Sequence, residues 1–229
     1  REIQYIRAEK RNTMENLKGI IFDLDGVIVT TDNCHYLAWK EMADGEGIPF
    51  DRTINERLRG VSRMQSLEII LERSPREYTE EQKIALAEKK NNIYKKHIAA
   101  LTPKDILPGV REVLSLCREK GIRTAIGSSS KNTKPILEYI GLKDAFDAVV
   151  DGNDIRNSKP DPEVFLLAAQ RLGLAPAECL VVEDAAAGVE AGLAGGMRVL
   201  GVGSAADCAR ATFRARSLSD PSVPALLAE

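Results

Sequence analysis

Two aspartates, Asp23 and Asp25, stand one residue apart directly after the apolar run 19–22. An apolar run that gives way to acidic residues and a glycine predicts a buried strand that ends abruptly in a loop. Side chains two residues apart in a strand point the same way, so both carboxylates can face one cavity at the carboxyl end of that strand. Because two carboxylates this close repel each other, the pair indicates either a cation held between them or a carboxylate that reacts with an electrophile.

Three further polar stretches each follow a predicted strand. They are 127–132 (GSSSKN), 158–160 (SKP) and 183–184 (ED). Because ligands of parallel sheets bind beyond the carboxyl ends of the strands, we expect all four stretches to converge at that edge. Together they supply carboxylates, hydroxyl groups, backbone N–H groups and a lysine.

This set of groups suits phosphoryl transfer. A hard divalent cation such as Mg²⁺ takes oxygen ligands, which Asp23 and Asp184 can supply, with Glu183 as a further candidate. A hydroxyl at a helix amino terminus, here Ser128, can donate to phosphate oxygens, and Lys159 can neutralise charge on the transferring group. One aspartate can attack phosphorus while the other carries a proton, and their order along the chain does not decide which does which.

Each stretch also has an ordinary structural interpretation. An Asp-x-Asp-Gly sequence by itself is most often a turn or a helix cap, and three serines are usually a polar loop. Ser-Lys-Pro alone is usually a turn before a helix, and Glu-Asp alone is usually a strand end with a cap. Their occurrence in order, each after a predicted strand, is what favours one shared site.

Composition excludes several other classes of protein. The chain has 229 residues, of which 44% are hydrophobic and 29% charged, and its net charge is −2. The hydrophobic content is sufficient for a buried core. The near-neutral net charge gives no electrostatic reason to expect binding to nucleic acid or to an anionic membrane. No apolar stretch reaches the length of a membrane span, and the amino terminus lacks a signal-peptide pattern. Four scattered cysteines predict a reducing, cytoplasmic location, and two histidines exclude a metal site built from several histidines.

From Pro108 onward, helical and strand patterns alternate, which predicts an α/β fold with a Rossmann-like, doubly wound parallel sheet. Apolar residues at helical spacing from Val110 predict a helix with Gly121 as its C-cap. Asp161 is predicted to cap a helix with Pro162 at its first position. The predicted strands are 19–22, 122–126, 145–150, 179–182 and 197–202, and the other predicted helices run from 132 or 133 to 140, from 162 to 172 and over 185–194.

The segment 31–101 differs, because it shows helical periods and no convincing strand. Ser62-x-x-Gln65 and Thr79-x-x-Gln82 both fit capping boxes, which mark helix starts. The sequence thus predicts a helical cap domain inserted directly after the first strand. Since the insertion leaves from the edge where ligands bind, we expect it to lie over the site as a lid.

The predicted domains follow from this insertion. The catalytic core is expected to be discontinuous, made of 14–30 and 102–229, with 31–101 as the cap domain. Residues 1–13 are highly charged. We expect them to be an extension that is not part of the fold.

At its polar stretches the chain resembles the haloacid dehalogenase superfamily of phosphotransferases, and the resemblance covers nearly all of 18–205. It implies a Rossmann-like core in which Asp23 is the nucleophile and Asp25 is the general acid and base. It also implies Mg²⁺ as the cofactor, held by Asp23, the main-chain carbonyl of Asp25, Glu183 and Asp184. The matching motifs are 23–27, Ser128, 159–160 and 183–184.

Within the insertion, the stretches 32–40, 58–67 and 89–92 resemble the β-phosphoglucomutase family. The resemblance implies that Arg63 grips the phosphate that is not transferred, and arginine suits bidentate phosphate recognition. It further implies that Thr31 is a hinge residue. His35 would help to hold the proposed acid/base in place. The residues that the resemblance assigns to substrate binding are His35, Trp39, Leu58, Gly60, Val61, Arg63, Ser66, Lys90, Ser130, Lys131 and Asn132.

Simpler interpretations exist for these residues too. Trp39 at helical spacing from Tyr36 is typical of packing, and a lone histidine such as His35 is usually a hydrogen-bonded structural group. Lys90 beside another lysine is typical of a solvated face. Arg63 could be an exposed first-turn residue, where a cation meets the unfavourable end of the helix dipole. A bound phosphate would offset that cost.

Our first hypothesis is a β-phosphoglucomutase that interconverts β-glucose 1-phosphate and glucose 6-phosphate through an aspartyl phosphate and a bisphosphate intermediate. Its partners would be a small sugar phosphate and a sugar bisphosphate, and we expect a monomer. The alternative is a sugar-phosphate phosphatase on the same scaffold, in which water takes the phosphoryl group. A non-catalytic phosphosugar-binding module is a third hypothesis, against which the intact pair of aspartates argues.

Overall fold

The structure is a computed structural model that describes residues 14, 16–58 and 62–228. The chain divides into two compact units, and each is described by itself. One unit is formed by the chain up to Thr30 together with the chain from Thr102, and the other is Thr31–Leu101. The expected extension 1–13 lies outside the described residues. No helix in the described part combines the length and apolar character needed to cross a membrane.

Six parallel strands form the sheet of the first unit: β1 (Gly19–Phe22), β2 (Arg123–Gly127), β3 (Ala148–Val150), β4 (Cys179–Glu183), β5 (Arg198–Gly201) and β6 (Phe213–Arg214). Their order across the sheet is β3-β2-β1-β4-β5-β6. β1 pairs with β2 on one side and with β4 on the other, so that Phe22 lies level with Ile126 and Val182. The predicted doubly wound parallel sheet is confirmed.

The second unit is helical over its described residues. Its helices are α1 (Asp32–Gly45), α2 (Arg52–Glu56), α3 (Arg63–Leu71) and α4 (Glu80–Ile98). α1 and α4 pack along each other, and α3 packs on α4. Trp39 and Met42 of α1 and Tyr94 of α4 are among the buried side chains that form the core of this unit.

The helices of the first unit are α5 (Val110–Lys120), α6 (Thr133–Tyr139), α7 (Glu163–Leu172), α8 (Ala186–Ala194) and α9 (Ser222–Ala228), of which α5, α7 and α8 pack on the sheet. α7 packs against β1, β2 and β3, whereas α8 packs against β4 and β5. Ile21 and Val181 of the strands meet Phe165 of α7 in a buried apolar cluster. The packing of α7 and α8 holds in place β1, β2 and β4, and polar stretches follow the carboxyl ends of these strands.

The helix ends predicted from capping residues agree with the structure to within one residue. Ser62 and Thr79 each form the predicted capping box, in which the N-cap hydroxyl accepts a backbone N–H and the glutamine side chain accepts the N-cap N–H. Gly121 ends α5 in the left-handed conformation, with φ 68°. α7 begins at Glu163, one residue later than predicted, and the Asp161 carboxylate accepts the N–H of Glu163 at 2.9 Å.

The predictions that need correction concern the strands. The predicted strand 145–150 is wrong over its first half, because β3 is only Ala148–Val150. Asp147 N–H donates to the Thr124 carbonyl, and the Asp147 carboxylate accepts the N–H of Thr124, each at 2.8 Å. At this end of the pairing between β2 and β3, the Asp147 side chain therefore accepts the N–H that a main-chain carbonyl would otherwise accept. β6 was not predicted, because a strand of two residues is too short to show a period.

Candidate active site

Carboxylates from two neighbouring strands meet at the carboxyl end of the sheet. Asp23 follows β1, and its N–H donates to the carbonyl of Val182 in β4 at 3.0 Å. Glu183 is the last residue of β4, and Asp184 is the next residue. Asp23, Glu183 and Asp184 each offer a carboxylate oxygen, and these oxygens lie within 4.8 Å of one another.

Lys159 ties two of these carboxylates together. Its Nζ donates to Asp23 Oδ1 at 2.7 Å and to Glu183 Oε1 at 2.5 Å. Nζ also lies 4.6 Å from the ring centroid of the fully buried Phe165. Burial alone would lower the pKa of Lys159, but the charges of Asp23 and Glu183 outweigh burial and raise it. The lysine is therefore a fixed positive charge at the edge of the acidic cluster.

The carboxylates carry more negative charge than this lysine balances. Partial burial, followed by the charges of Asp23, Glu183 and Asp25, raises the pKa of Asp184 to about 8. Burial and the charge of Asp23 raise the pKa of Glu183 as well, although Lys159 opposes this. Crowded carboxylates of this kind are relieved by a divalent cation. The donor set of carboxylate oxygens suits a hard cation such as Mg²⁺.

Two glycines let the backbone approach these carboxylates. Gly26 has φ +85°, and a Cβ there would lie 1.9 Å from Asp184 Oδ2. A Cβ on Gly188, in the first turn of α8, would lie 1.9 Å from Glu183 Cδ. Any side chain at either position would displace a carboxylate from the cluster. The Glu183 carboxylate also accepts the N–H of Ala185 at 3.0 Å, which fixes its other oxygen.

Asp25 belongs to the same neighbourhood. It is half-buried and forms an isolated bridge with Val29, and Gly26 N–H donates to the Val29 carbonyl at 2.7 Å. Its charge contributes to the raised pKa of Asp184, so its carboxylate lies close to the cluster. The structure thus brings together Asp23, Asp25, Lys159 and the acidic pair after β4, all of which the sequence assigned to one site.

Ser128 is the first residue after β2 and is buried, with 3% of its surface exposed. Its expected place at a helix amino terminus is wrong, because α6 begins only at Thr133 and Ser128 lies in the loop before it. Ser128 N–H donates to the Val150 carbonyl at 3.0 Å, and Ser128 Oγ accepts the N–H of Ser130 at 3.1 Å. The hydroxyl is therefore held by main-chain groups on both sides.

The rest of this loop leaves alternate N–H groups available. Ser130 Oγ accepts the N–H of Asn132 at 3.1 Å, in the same way as Ser128 Oγ accepts the N–H of Ser130. Within the described residues, the N–H groups of Ser129 and Lys131 have no hydrogen-bond acceptor. Ser129 is half-buried and Lys131 is exposed, so both N–H groups can reach a ligand, and backbone donors of this kind suit an anion such as phosphate.

The helical unit holds a cluster of basic side chains of its own. Lys90 is buried, and its Nζ lies 2.9 Å from His35 Nδ1 and 4.7 Å from the ring centroid of Trp39. Arg63, on the first turn of α3, donates to Asn91 Oδ1 at 3.0 Å. Within the described residues, no carboxylate forms an ion pair with Lys90 or Arg63.

The pKa shifts in this cluster are caused by burial first and by neighbouring positive charge second. Burial, followed by the charge of Arg63, lowers the pKa of Lys90 to about 7. Burial, then Lys90, then Arg63 lower the pKa of His35 to about 3. An anion would reverse these effects, because it favours the protonated forms. The helical unit is therefore suited to bind an anionic group.

Those remaining predicted residues that the structure describes lie in the helical unit or in the loop after β2. Thr31 is buried and accepts a hydrogen bond from the Tyr94 hydroxyl at 3.2 Å. Ser66 is buried in α3, whereas Leu58 is half-buried after α2. Lys131 is exposed. Gly60 and Val61 lie outside the described residues.

Sequence reasoning missed several residues at these sites. Asn91 and Phe165 were not assigned, although they contact Arg63 and Lys159 respectively. The turn 151–154 was also missed. It follows β3, so the rule that found the other stretches, polar residues directly after a predicted strand, would have found it as well.

Comparison with known proteins gives consistent matches. A family model described as haloacid dehalogenase-like hydrolase matches residues 17–196. The β-phosphoglucomutase of Bacillus subtilis (strain 168) is 43% identical over 206 residues, which cover 89% of this chain and 91% of that protein. The fructose-1-phosphate phosphatase YqaB of Escherichia coli (strain K12) is 33% identical over 188 residues, covering 82% and 97%. The crystal structure of the β-phosphoglucomutase of Clostridium difficile aligns with a TM-score of 0.78 at 39% identity, covering 89% and 92%.

Proposed function

We propose, from the premise that this chain belongs to the haloacid dehalogenase-like hydrolase family, that it is a β-phosphoglucomutase. It would interconvert β-glucose 1-phosphate and glucose 6-phosphate through a glucose 1,6-bisphosphate intermediate. The observation that carries the proposal is that two groups of donors in one chain suit anions. One is formed by the N–H groups of Ser129 and Lys131 in the loop after β2, and the other by Arg63 and Lys90 in the helical unit. A reaction that passes through a bisphosphate needs both.

In this mechanism Asp23 is the nucleophile. A carboxylate oxygen of Asp23 forms a bond to phosphorus as the bond from phosphorus to the departing sugar oxygen breaks. Lys159, 2.7 Å from Asp23, offsets charge on the transferring group. Ser128 and the free N–H of Ser129 would donate to the phosphoryl oxygens.

Asp25 would move the proton in both half-reactions. It gives a proton to the departing sugar oxygen when Asp23 is phosphorylated. In the reverse sense it takes a proton from the sugar hydroxyl that attacks the aspartyl phosphate. The cycle uses each step once: the attack on the aspartyl phosphate forms the bisphosphate at one end of the sugar. After the bisphosphate turns round, the phosphate at the other end passes to Asp23, and Asp25 gives the proton to the sugar oxygen that departs. Proton and phosphoryl group are therefore both returned at the end of each cycle.

Asp23, Glu183, Asp184 and the main-chain carbonyl of Asp25 would hold Mg²⁺, because their oxygens suit a hard cation and the carboxylates are already clustered. When bound there, the ion supplies positive charge that stabilises the transferring phosphoryl group.

The affinity for Mg²⁺ should depend on pH. The pKa of Asp184 is raised to about 8, so this carboxyl must lose a proton before it can bind the metal. Affinity measured by calorimetry should rise about tenfold per pH unit below pH 8 and level off above it. Asp184→Asn should bind Mg²⁺ at least about tenfold more weakly and lose this pH dependence. Glu190→Gln, on the exposed side of α8, is the control; an unchanged affinity in Asp184→Asn would contradict the metal assignment.

A sugar-phosphate phosphatase is the second candidate, and the 33% identity to a fructose-1-phosphate phosphatase favours it. The same core residues would then act, with water as the acceptor of the phosphoryl group. Arg63 separates the two functions, because hydrolysis needs no grip on a second phosphate. A mutase must hold that phosphate so that the attacking hydroxyl meets the aspartyl phosphate in line.

Replacing Arg63 by alanine should reduce kcat/KM for β-glucose 1-phosphate about 100-fold, since a charged hydrogen-bonded phosphate contact is lost. Hydrolysis of acetyl phosphate, which has no second phosphate, should change little or become faster. Arg76→Ala is the matched control, because Arg76 is an exposed arginine of the same unit that pairs with Glu46. The Arg63 assignment fails if both activities fall together while the variant stays folded.

A further inference from the structure

The turn 151–154, which follows β3, grips the loop 128–132 by two successive carbonyls. Gly152 N–H donates to the carbonyl of Ser130 at 3.0 Å, and Asn153 Nδ2 donates to the carbonyl of Lys131 at 3.1 Å. Thr133 Oγ1 donates to the Ser130 carbonyl as well, at 2.8 Å. The loop that carries three predicted substrate-binding residues is therefore held from outside by a turn on the neighbouring strand.

The turn is itself rigidly built. The buried Asp151 carboxylate accepts the N–H of Asn153 at 2.8 Å, and Asp154 accepts the N–H of Asp151 at 3.0 Å. Arg171 of α7 pairs with Asp154 at 2.9 Å and donates to the Val149 carbonyl at 2.6 Å. The position of Asn153 is thus fixed to the sheet and to α7 rather than to the loop it holds.

Gly152 allows the close approach of turn and loop. A Cβ at this position would lie 2.3 Å from the Ser129 carbonyl oxygen and 3.0 Å from the Lys131 nitrogen. Both neighbours are backbone atoms, which cannot move aside as a flexible side chain can. Only glycine fits while the loop keeps its path.

Fixing a carbonyl also fixes the next N–H, because the peptide unit between them is planar and trans. The bond to the Ser130 carbonyl therefore sets the direction of Lys131 N–H, which has no acceptor within the described residues. The bond to the Lys131 carbonyl sets the direction of Asn132 N–H, which donates to Ser130 Oγ. The turn decides how this half of the loop faces a ligand.

We infer that Asn153 and Gly152 are positioning residues for the sugar phosphate. They act through the loop, by orienting Lys131 and Asn132, and not by touching the reacting atoms. Ser128 does not depend on them, because its N–H and Oγ are held by Val150 and Ser130. The inference rests on the proposed function for the identity of the ligand. It predicts that replacing Asn153 or Gly152 weakens binding of a sugar phosphate but leaves phosphorylation of the enzyme by a small donor unchanged.

Asn153→Ala is the principal test. It should raise KM for β-glucose 1-phosphate about tenfold, the effect of one lost hydrogen bond, with a much smaller change in kcat. Phosphorylation of the enzyme by acetyl phosphate should proceed as in the wild type. Asn157→Ala is the matched control: it removes a side-chain amide bond of the same length, 3.1 Å to Glu163, and should change neither reaction.

Further variants distinguish a positioning role from a general loss of structure. Asn153→Gln keeps an amide donor and should recover part of the lost affinity, whereas Asn153→Asp keeps the shape without the donor and should not. Gly152→Ala should raise KM more than Asn153→Ala, because a methyl group then meets the Ser129 carbonyl. An unchanged KM in Asn153→Ala, or an equal fall in its reaction with acetyl phosphate, would overturn the inference.

Amide hydrogen exchange of the loop gives a readout that is independent of the proposed reaction. The amide of Asn132, which donates to Ser130 Oγ, should exchange faster in Asn153→Ala than in the wild type, while those of Ile126 and Gly127 in β2 stay unchanged. Equal exchange in the loop would overturn the positioning role whatever the substrate is. Failure of the proposed function would show differently, as a wild type that forms no glucose 6-phosphate.

Discussion

Asp23→Asn should abolish turnover of the sugar phosphate while the protein stays folded. The amide has nearly the shape of the carboxylate but is a poor nucleophile, and it weakens the proposed metal site. Lys159 loses one partner and keeps Glu183 at 2.5 Å, so the lysine is not left unpaired. Initial rates with β-glucose 1-phosphate and a thermal unfolding curve measure the two expectations.

The control for this variant is Asp144→Asn, at an exposed aspartate on the turn before β3. It should keep wild-type rates. The decisive companion measurement uses labelled acetyl phosphate and identifies the residue that carries the label. Label on Asp23 is expected in the wild type and none in Asp23→Asn. Substantial turnover by Asp23→Asn, or an aspartyl phosphate at another residue, would show that the nucleophile is wrongly assigned.

Asp25→Asn should lower kcat by a factor of about 10²–10⁴, because proton transfer to and from the sugar oxygen loses its catalyst. Binding of Mg²⁺ should survive, since the proposed ligand at this position is the main-chain carbonyl. Phosphorylation by acetyl phosphate, whose leaving group needs no proton, should suffer far less.

This combination distinguishes an acid/base from a metal ligand. Calorimetry with Mg²⁺ and initial rates at saturating Mg²⁺ are measured on the same preparation of Asp25→Asn. A variant that loses metal affinity but keeps its saturated rate would refute the acid/base role. Equal losses with the sugar phosphate and with acetyl phosphate would refute it too.

The features that sequence predicted well depend on local chemistry. β1 has the predicted bounds because the apolar run that fills a buried strand ends at Phe22, where the charged Asp23 follows. The capping boxes at Ser62 and Thr79 and the glycine end of α5 are set by neighbouring residues alone. The family resemblance drawn from the four polar stretches is confirmed by the match to residues 17–196.

The features that sequence did not predict depend on contacts between distant residues. β3 is short because the Asp147 side chain bonds to Thr124, and no local pattern reveals that pairing. The hydrogen bond from Asn153 to the Lys131 carbonyl joins the turn after β3 to the loop after β2, which are far apart in sequence. The expected roles of Trp39 and Lys90 were open between packing and binding. The structure buries Lys90 against the Trp39 ring, so the interpretation of Lys90 as part of a solvated face is wrong.

The most direct measurement is product analysis of the wild type. The protein is incubated with β-glucose 1-phosphate, Mg²⁺ and a trace of glucose 1,6-bisphosphate, and glucose 6-phosphate and inorganic phosphate are followed together. A β-phosphoglucomutase forms glucose 6-phosphate as fast as the substrate disappears and releases little inorganic phosphate. Release of inorganic phosphate at the rate of substrate loss, without glucose 6-phosphate, would contradict the proposed function and identify a phosphatase.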